Sequence, residues 1–258
     1  MNAKARQPTA PLPEPLPPCF PAPAGAAAAA GNTGATWCGQ LLISLHQFAE
    51  ALGEAVDVKD RYTRRHSVVV AELAQQLAVA MGLPPVRCEE IHVAGHLHDL
   101  GKIGLADRVL QATGPLSQDD WQEIRRHPVL GYEILRHVPV LAQPGGIAEM
   151  VLYHHERYDG SGYPFGLRQR EIPLGARIIA VADAFSAMVD DRVYRKGLAV
   201  TQVLAELERC AGSQFDPEVI AALLAHRATI CGGRRALPQQ GGLPVAPAAG
   251  SGVARPHN

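Results

Sequence analysis

The chain has 258 residues, of which 47% are hydrophobic but only 5% aromatic, so we expect one domain with a mainly aliphatic core and some flanking sequence. Its formal net charge of -1 gives no reason to expect a surface that coats DNA or RNA, or a basic membrane anchor. Five scattered cysteines without a Cys-x-x-Cys pair argue against a disulfide framework or zinc ribbon, and no apolar run reaches transmembrane length, so a cytoplasmic protein is expected.

Both ends of the chain have a biased composition. Proline and alanine dominate residues 1–36, and glycine, proline and alanine dominate residues 232–258. The first of these segments is interrupted by prolines and contains Glu14, which is unlike the apolar core of a secretion signal. We therefore predict two disordered flanks around one folded domain at residues 37–231.

The folded region has the periodicity of helices and little sign of strands. Gly82 is placed to end the second helix, Ser117 to cap the fourth, and Pro128 to introduce a kink or junction within it. The fold class predicted is an all-α bundle of about seven or eight helices. In chain order they span about residues 37–56, 63–81, 84–99, 117 to beyond 127, 146–155, 175–189, 200–211 and 217–226.

Histidine and aspartate side chains suited to binding a metal are spread over about half of the chain. Neutral imidazoles and carboxylates are the ligands that iron, manganese, nickel and zinc accept in proteins. Glycines and a proline interrupt the chain between these positions, so the ligands must converge from several helices, as in a polynuclear site within a helical bundle. The candidate ligands are His66, His98, Asp99, His127, His154, His155 and Asp183.

These residues and their neighbours resemble the HD-GYP family, a branch of the HD-superfamily metal-dependent phosphohydrolases. The resemblance covers about residues 41–226 and implies the HD-superfamily helical bundle. Members of the family typically cleave the second messenger cyclic di-GMP, so the implied products are linear pGpG, GMP or both. The motifs occur in the order His66, His98-Asp99-x-Gly101-Lys102, His127-Pro128, His154-His155-Glu156, Asp159-Gly160-x-Gly162-Tyr163-Pro164 and Asp183.

The resemblance also assigns roles within the first motif. Two metal ions can activate a water and neutralise the charge of a phosphodiester. Asp99 is the carboxylate expected to bridge two such ions, as in the HD superfamily, and several histidines favour iron or manganese over magnesium. Lys102 is expected to act in catalysis as a point charge at the scissile phosphate.

Substrate contacts are expected from two further segments. Gly162, Tyr163 and Pro164 belong to a loop that could form a lip over the site and position a nucleotide. Arg192 and Arg195 follow the last metal aspartate and are suited to a second phosphate or a guanine edge.

The sequence departs from the family at two positions. Some members hold a third metal through a glutamate one helical turn before the first histidine, but this chain has Tyr62, which favours two ions. Many members have an aspartate three residues after the last metal aspartate, where this chain has Ser186. That change puts one substrate or phosphate contact in doubt.

Two other functions stay open at this stage. The domain could be a weakly active or inactive cyclic di-GMP sensor or protein-interaction module, or it could hydrolyse another nucleotide. Diguanylate cyclases and response regulators are the protein partners considered, and the oligomeric state is left open. Near the motif, His96 is interpreted as a packed or supporting residue, and His46 has no recognisable pattern.

Overall fold

The computed structural model of the protein describes residues 34–60, 65–112, 114–190 and 196–231, with side chains from residue 45 onward. Within these ranges it contains eleven α-helices and no β-strand, together with the 3-10 helices Leu100–Gly104 and Gln169–Glu171. The α-helices are α1 Gly34–Lys59, α2 His66–Ala80, α3 Pro85–Leu97, α4 Asp107–Leu110, α5 Gln118–Ile124, α6 His127–Leu135, α7 Ile147–Tyr153, α8 Leu174–Val189, α9 Val200–Arg209, α10 Pro217–Ala225 and α11 Arg227–Cys231.

The all-α prediction is confirmed, but the fourth predicted helix is two helices. Ser117 caps α5 and forms a reciprocal capping box with Asp120, as its residue type predicts. Pro128 has no N–H to donate to the carbonyl of Ile124, so a continuous helix cannot form there. His127 instead begins α6, and its Nδ1 lies 2.7 Å from the Ile124 oxygen. The short helices α4 and α11 were not predicted.

The core is built from aliphatic side chains, as the low aromatic content predicts. Helices α2, α3, α7 and α8 pack against one another at its centre. Leu73, Leu77, Ile91 and Ile179 are fully buried there, and Phe185 is the largest side chain among the fully buried residues. Burial of this kind contributes most of the driving force for folding.

Contacts divide the chain into Met1–Gly39 and Gln40–Asn258, and everything described below lies in the second unit. The predicted disordered flanks lie outside the described residues except for residues 34–36, which belong to α1. No helix in the described part of the chain is both long enough and apolar enough to cross a membrane.

Helix ends position most of the candidate ligands. His66 is the first residue of α2, and His127 is the first residue of α6. His98 and Asp99 directly follow α3, and the His154-His155 pair directly follows α7. Asp183 differs from the other candidate ligands because it lies in the interior of a helix, near the middle of α8. Neighbouring side chains within a helix diverge by about 100°. Because α7 ends at Tyr153, the adjacent histidines 154 and 155 can both reach the same site, and their ring centroids lie 4.0 Å apart.

Candidate metal centre

The structure brings the seven predicted metal ligands together. Six of them form two groups, and within each group the ligand atoms all lie within 4.8 Å of one another. The distances between the facing atoms are those of side chains that can share an ion. One group consists of His66, His98 and Asp183, and the other of His127, His154 and His155.

Asp99 lies between the two groups. Its Oδ2 is 3.4 Å from Nε2 of His98, and its Oδ1 is 3.3 Å from Nε2 of His127. The side chain is almost completely buried, so both oxygens are directed into the protein. A carboxylate that faces one group with each oxygen has the placement expected of a bridge between two cations.

Backbone carbonyls orient three of the histidines. A carbonyl oxygen can only accept, so the Nδ1 atom that contacts it must carry the proton. The other ring nitrogen, Nε2, then faces the site, and it can bind a metal when it carries no proton. The Nδ1 to oxygen distances are 2.8 Å from His98 to Gly95, 2.7 Å from His127 to Ile124 and 2.6 Å from His154 to Val151.

His66 is oriented by Ser186, the residue at which the sequence departs from the family. Nδ1 of His66 lies 3.0 Å from Oγ of Ser186, and that hydroxyl donates to Oδ2 of Asp190 at 3.2 Å. Since its own proton goes to Asp190, the hydroxyl accepts from His66. Ser186 is fully buried, so it supports a candidate ligand from behind and does not line a surface on which substrate could bind.

Burial and charge set the protonation of the centre. Burial raises the pKa of Asp99, but Lys102 and His98 outweigh it and bring this pKa well below its usual range. Burial lowers the pKa of His127 to about 3, although Asp99 opposes the effect. Burial also brings the pKa of His154 well below its usual value. Asp99 is therefore ionised, and His127 and His154 are neutral, as metal ligands must be. Burial also lowers the pKa of His98, but the charge of Asp99 outweighs it and raises this pKa to about 9, so His98 must release a proton to bind a metal.

The chemistry of the donor atoms fits divalent cations. Nε2 of His98 is buried without a hydrogen bond, which is unusual and costly in a protein interior. Nε2 of His66 lies 3.1 Å from Oδ1 of Asp183, and both atoms have lone pairs that can bind a cation. A cation held by these lone pairs would satisfy them, so the residues present suit a metal.

Lys102 lies beside the candidate bridge. Its Nζ is 2.8 Å from Oδ2 of Asp99 and 2.7 Å from Oδ2 of Asp60. An ammonium group has three donors, so one remains for a further acceptor such as a phosphate oxygen. Asp60 is mostly buried. It was not predicted from the sequence as a site residue, because it belongs to no recognisable motif. It is one of the partners that hold Lys102 at the centre.

The predicted lip lies over the centre. The Tyr163 ring stacks on the His155 ring at a centroid distance of 4.9 Å and an angle of 28°. A side chain at position 162 would clash with the backbone of Glu156 and Arg157, so Gly162 is explained by close packing. The buried Glu156 carboxylate accepts from three backbone N–H groups of the loop, those of residues 165–167. The sequence placed Glu156 in a motif without giving it this role.

A cleft of about 320 Å³ opens beside the lip. Two exposed arginines line it together with Tyr163 and Pro164, and Cζ of Arg125 lies 5.4 Å from the centroid of the Tyr163 ring. Arg125 and Arg126 were missed, although they form an Arg-Arg pair directly before His127. The two arginines that were predicted to bind substrate, Arg192 and Arg195, lie outside the described residues, as does Tyr62.

Comparison with known proteins agrees with the motifs. The sequence model of the HD domain family matches residues 50–219. The chain is 41% identical over 182 residues to a cyclic di-GMP phosphodiesterase of Thermotoga maritima, which covers 70% of this chain and 49% of the relative. It is 38% identical over 204 residues to the cyclic di-GMP phosphodiesterase response regulator RpfG of Xanthomonas campestris pv. campestris. This match covers 75% of this chain and 53% of the relative.

The chain thus spans about half the length of these relatives. A crystal structure of a cyclic GMP-AMP specific phosphodiesterase of V. cholerae has a similar fold, with a TM-score of 0.57 at 17% identity. That match covers 73% of this chain and 50% of the other, and at this identity it concerns the fold alone. The HD and GYP motifs, the family match and the relatives agree, and the chain belongs to the HD domain family, in its HD-GYP branch.

Proposed function

We propose that this protein is a metal-dependent phosphodiesterase that hydrolyses cyclic di-GMP to pGpG, GMP or both, and so lowers the level of the messenger. The observation that carries the proposal is the position of Asp99 between two groups of candidate ligands, each facing a different oxygen. The names of the two curated relatives support the choice of substrate.

Two divalent ions, iron or manganese, are proposed as the cofactors. The first would be held by His66, His98 and Asp183 and the second by the three histidines of the other group, with Asp99 shared. Such ions supply Lewis acidity and an activated water when they are bound. The large share of imidazole nitrogens favours these metals over magnesium, which prefers oxygen.

Side chains of the protein would do the rest of the work. Lys102 holds Asp99 ionised, and its third proton is available to a non-bridging phosphate oxygen. Arg125 and Arg126 line a cleft beside the centre, and a guanidinium can bind either a phosphate or the O6 and N7 edge of guanine. The Tyr163 ring forms one wall of the same cleft and could pack against a base.

The proposal is tested with protein purified anaerobically and loaded with iron, manganese or zinc. Cyclic di-GMP, cyclic GMP-AMP and a guanosine alarmone are incubated with each form, and the products are separated by chromatography. Faster turnover of cyclic di-GMP by the iron or manganese form is expected. Turnover of only the alarmone would indicate another nucleotide hydrolase, and tight binding of cyclic di-GMP without turnover would indicate a sensor.

Arg125 provides a test of the substrate cleft. Arg125→Ala removes a charge-assisted contact, which is typically worth about 1.5–3 kcal/mol, or roughly ten- to a hundredfold in affinity. Arg136→Ala is the matched control, because Arg136 also lies over a tyrosine ring, that of Tyr132, but does not line the cleft. Calorimetry with cyclic di-GMP under conditions that block turnover should show weaker binding for Arg125→Ala alone. Equal affinities in both variants would place the nucleotide elsewhere.

The cytoplasmic location and the protein partners stay predictions. Diguanylate cyclases, which make the messenger, and response regulators are the candidates. Co-purification from cells with the full chain as bait would test them.

A further inference from the structure

Three histidines form a second cluster outside the candidate metal centre. His92 and His96 lie one turn apart on α3, and His46 reaches them from α1. The ring centroids are 4.6 Å apart for His46 and His92, 4.9 Å for His92 and His96, and 5.4 Å for His46 and His96. One nitrogen from each ring lies within 4.8 Å of the others. The cluster therefore has the spacing of three ligands around one ion.

The polar atoms of this cluster have few partners. Nδ1 of His92 and Nδ1 of His96 are both buried without a hydrogen bond among the described residues. The Nε2 atoms of these two rings lie 3.1 Å apart, at hydrogen-bond distance, so without an ion one of them donates to the other. Two nitrogens bound to one tetrahedral zinc at the usual bond length are about 3.3 Å apart. The pair is thus held close to the separation that coordination would require.

Burial and exposure also suit a ligand set. Burial, with a smaller contribution from His46, lowers the pKa of His92 to about 4, so this imidazole is neutral at neutral pH. The side chain of His46 is 33% exposed, which gives an ion a path from solvent. Glu50 lies one turn after His46, with Oε2 4.0 Å from Nε2 of that histidine. Its carboxylate is close enough to take the fourth position directly or through a water.

We propose that His46, His92 and His96 bind one zinc ion in a site separate from the candidate metal centre. Three imidazoles with a carboxylate or water in the fourth position form a typical zinc coordination set, whereas magnesium and calcium require oxygen ligands. Because the ligands come from α1 and α3, the ion would join these two helices. This site does not depend on the proposed function, and neither its binding nor its test involves a nucleotide.

The position of the site suggests a structural role. A side chain at Gly53 of α1 would clash with the backbone oxygen of His96, so the two helices are already in close contact there. His98 and Asp99 of the candidate metal centre follow two and three residues after His96. A zinc that joins α1 to α3 would hold the segment that carries these ligands in place.

Zinc content tests the proposal with the full chain. The protein is freed of metal, equilibrated with excess zinc, passed through a desalting column and analysed for zinc per chain. His46→Ala, which changes a partly exposed side chain, is expected to lose one equivalent relative to the wild type. His137→Ala, at an exposed position without neighbouring ligands in the described structure, should lose none. At a hundredfold excess of zinc over the dissociation constant, zinc should raise the melting temperature of the wild type by about 5–10 °C more than that of His46→Ala.

Cobalt substitution tests direct coordination by His46. His46→Cys replaces the imidazole by a thiolate, which is also a zinc and cobalt ligand. This variant should keep the equivalent that His46→Ala loses, and its cobalt form should show a thiolate-to-cobalt charge-transfer band that the wild type lacks. Equal zinc content in the wild type, His46→Ala and His92→Ala would overturn the proposal, and the lack of that band would overturn coordination at position 46.

Discussion

At the residue scale, Asp99 combines three properties that are seldom found together. It is buried, it is held ionised by Lys102 and His98, and each of its oxygens faces a different group of imidazoles. The other carboxylate of the ligand set, Asp183, pairs with His66 of one group, and its charge also acts on His155 of the other.

Asp99→Ala should therefore remove most bound metal and nearly all hydrolysis. Changing a residue that only supports a ligand typically costs ten- to a hundredfold in metal affinity or activity, so loss of the shared ligand should exceed about a hundredfold. Metal per chain and the rate of cyclic di-GMP hydrolysis are measured on the same samples. Asp119→Ala, an exposed acid in the first turn of α5, is the control. Near-normal metal content and rate in Asp99→Ala would place the active site elsewhere.

Ser186 gives a second prediction at this scale. Ser186→Ala removes the acceptor for Nδ1 of His66, so the imidazole loses its preferred orientation, and metal affinity should fall about ten- to a hundredfold. Ser117→Ala is the control for a general loss of stability. Loss of this helix cap destabilises the protein by about 1 kcal/mol, but Ser117 does not contact the candidate metal centre. Metal titration with a competing chelator would measure both. Equal affinities in the two variants would mean that Ser186 does not support His66.

At the scale of elements, the 3-10 helix Leu100–Gly104 packs directly on α6. A Cβ atom at Gly101 would clash with the backbone oxygen of His127 and with the backbone nitrogen of Gly131. Gly101 therefore lets the segment after Asp99 approach the start of α6, where His127 lies. The glycine in the His-Asp-x-Gly-Lys motif therefore has a packing role, whereas α3 already ends at Leu97.

Gly101→Ala should push these elements apart and destabilise the protein by about 3 kcal/mol or more, the upper part of the range for overpacking. Gly114→Ala is the matched control, because a Cβ atom there meets nothing within 4 Å. It should be neutral, or stabilising by about 0.4–1 kcal/mol, since it reduces the freedom of the unfolded chain. Urea denaturation of both variants gives the two values. A Gly101→Ala protein as stable as the wild type would show that the packing relaxes without cost.

At the scale of the whole molecule, the buried interior also contains imidazoles outside the candidate metal centre. Besides the candidate ligands, His92 and His96 are buried, and burial lowers their pKa values to about 4 and about 3. In the unfolded chain, each of these residues gains a proton as the pH falls through about 6.5, whereas in the folded chain it stays neutral to a lower pH. Folding stability must then fall as the pH drops below about 6.5.

For the metal-free protein, we expect each of these two residues to reduce the free energy of unfolding by about 2 kcal/mol between pH 7 and pH 5. Urea denaturation at both pH values, in the presence of a chelator, measures the change. His92→Gln has no charge to gain, so it should reduce the difference by about 2 kcal/mol. His226→Gln, at an exposed position, should leave it unchanged. The same pH dependence in both variants would contradict a neutral His92.

The sequence by itself determined the fold class, the family and the candidate ligands. Helical periodicity and the low aromatic content predicted an all-α fold with an aliphatic core, and the residues of the two motifs led to the HD-GYP branch. These features are local or follow a set order along the chain, so they are visible without coordinates. Pro128 also predicted the junction between α5 and α6, because the missing N–H is a property of the residue alone.

Only the tertiary structure decided which residues meet across the fold. Asp60 contacts Lys102 from 42 positions away in the chain, and His46 joins His92 and His96 from another helix. The role of Ser186 depends on its distance to His66, 120 positions earlier. Contacts of this kind arise from the packing of helices, which no motif or spacing encodes. The sequence therefore predicted the candidate ligands, and the packing of α1, α2, α3 and α8 decided what holds them in place.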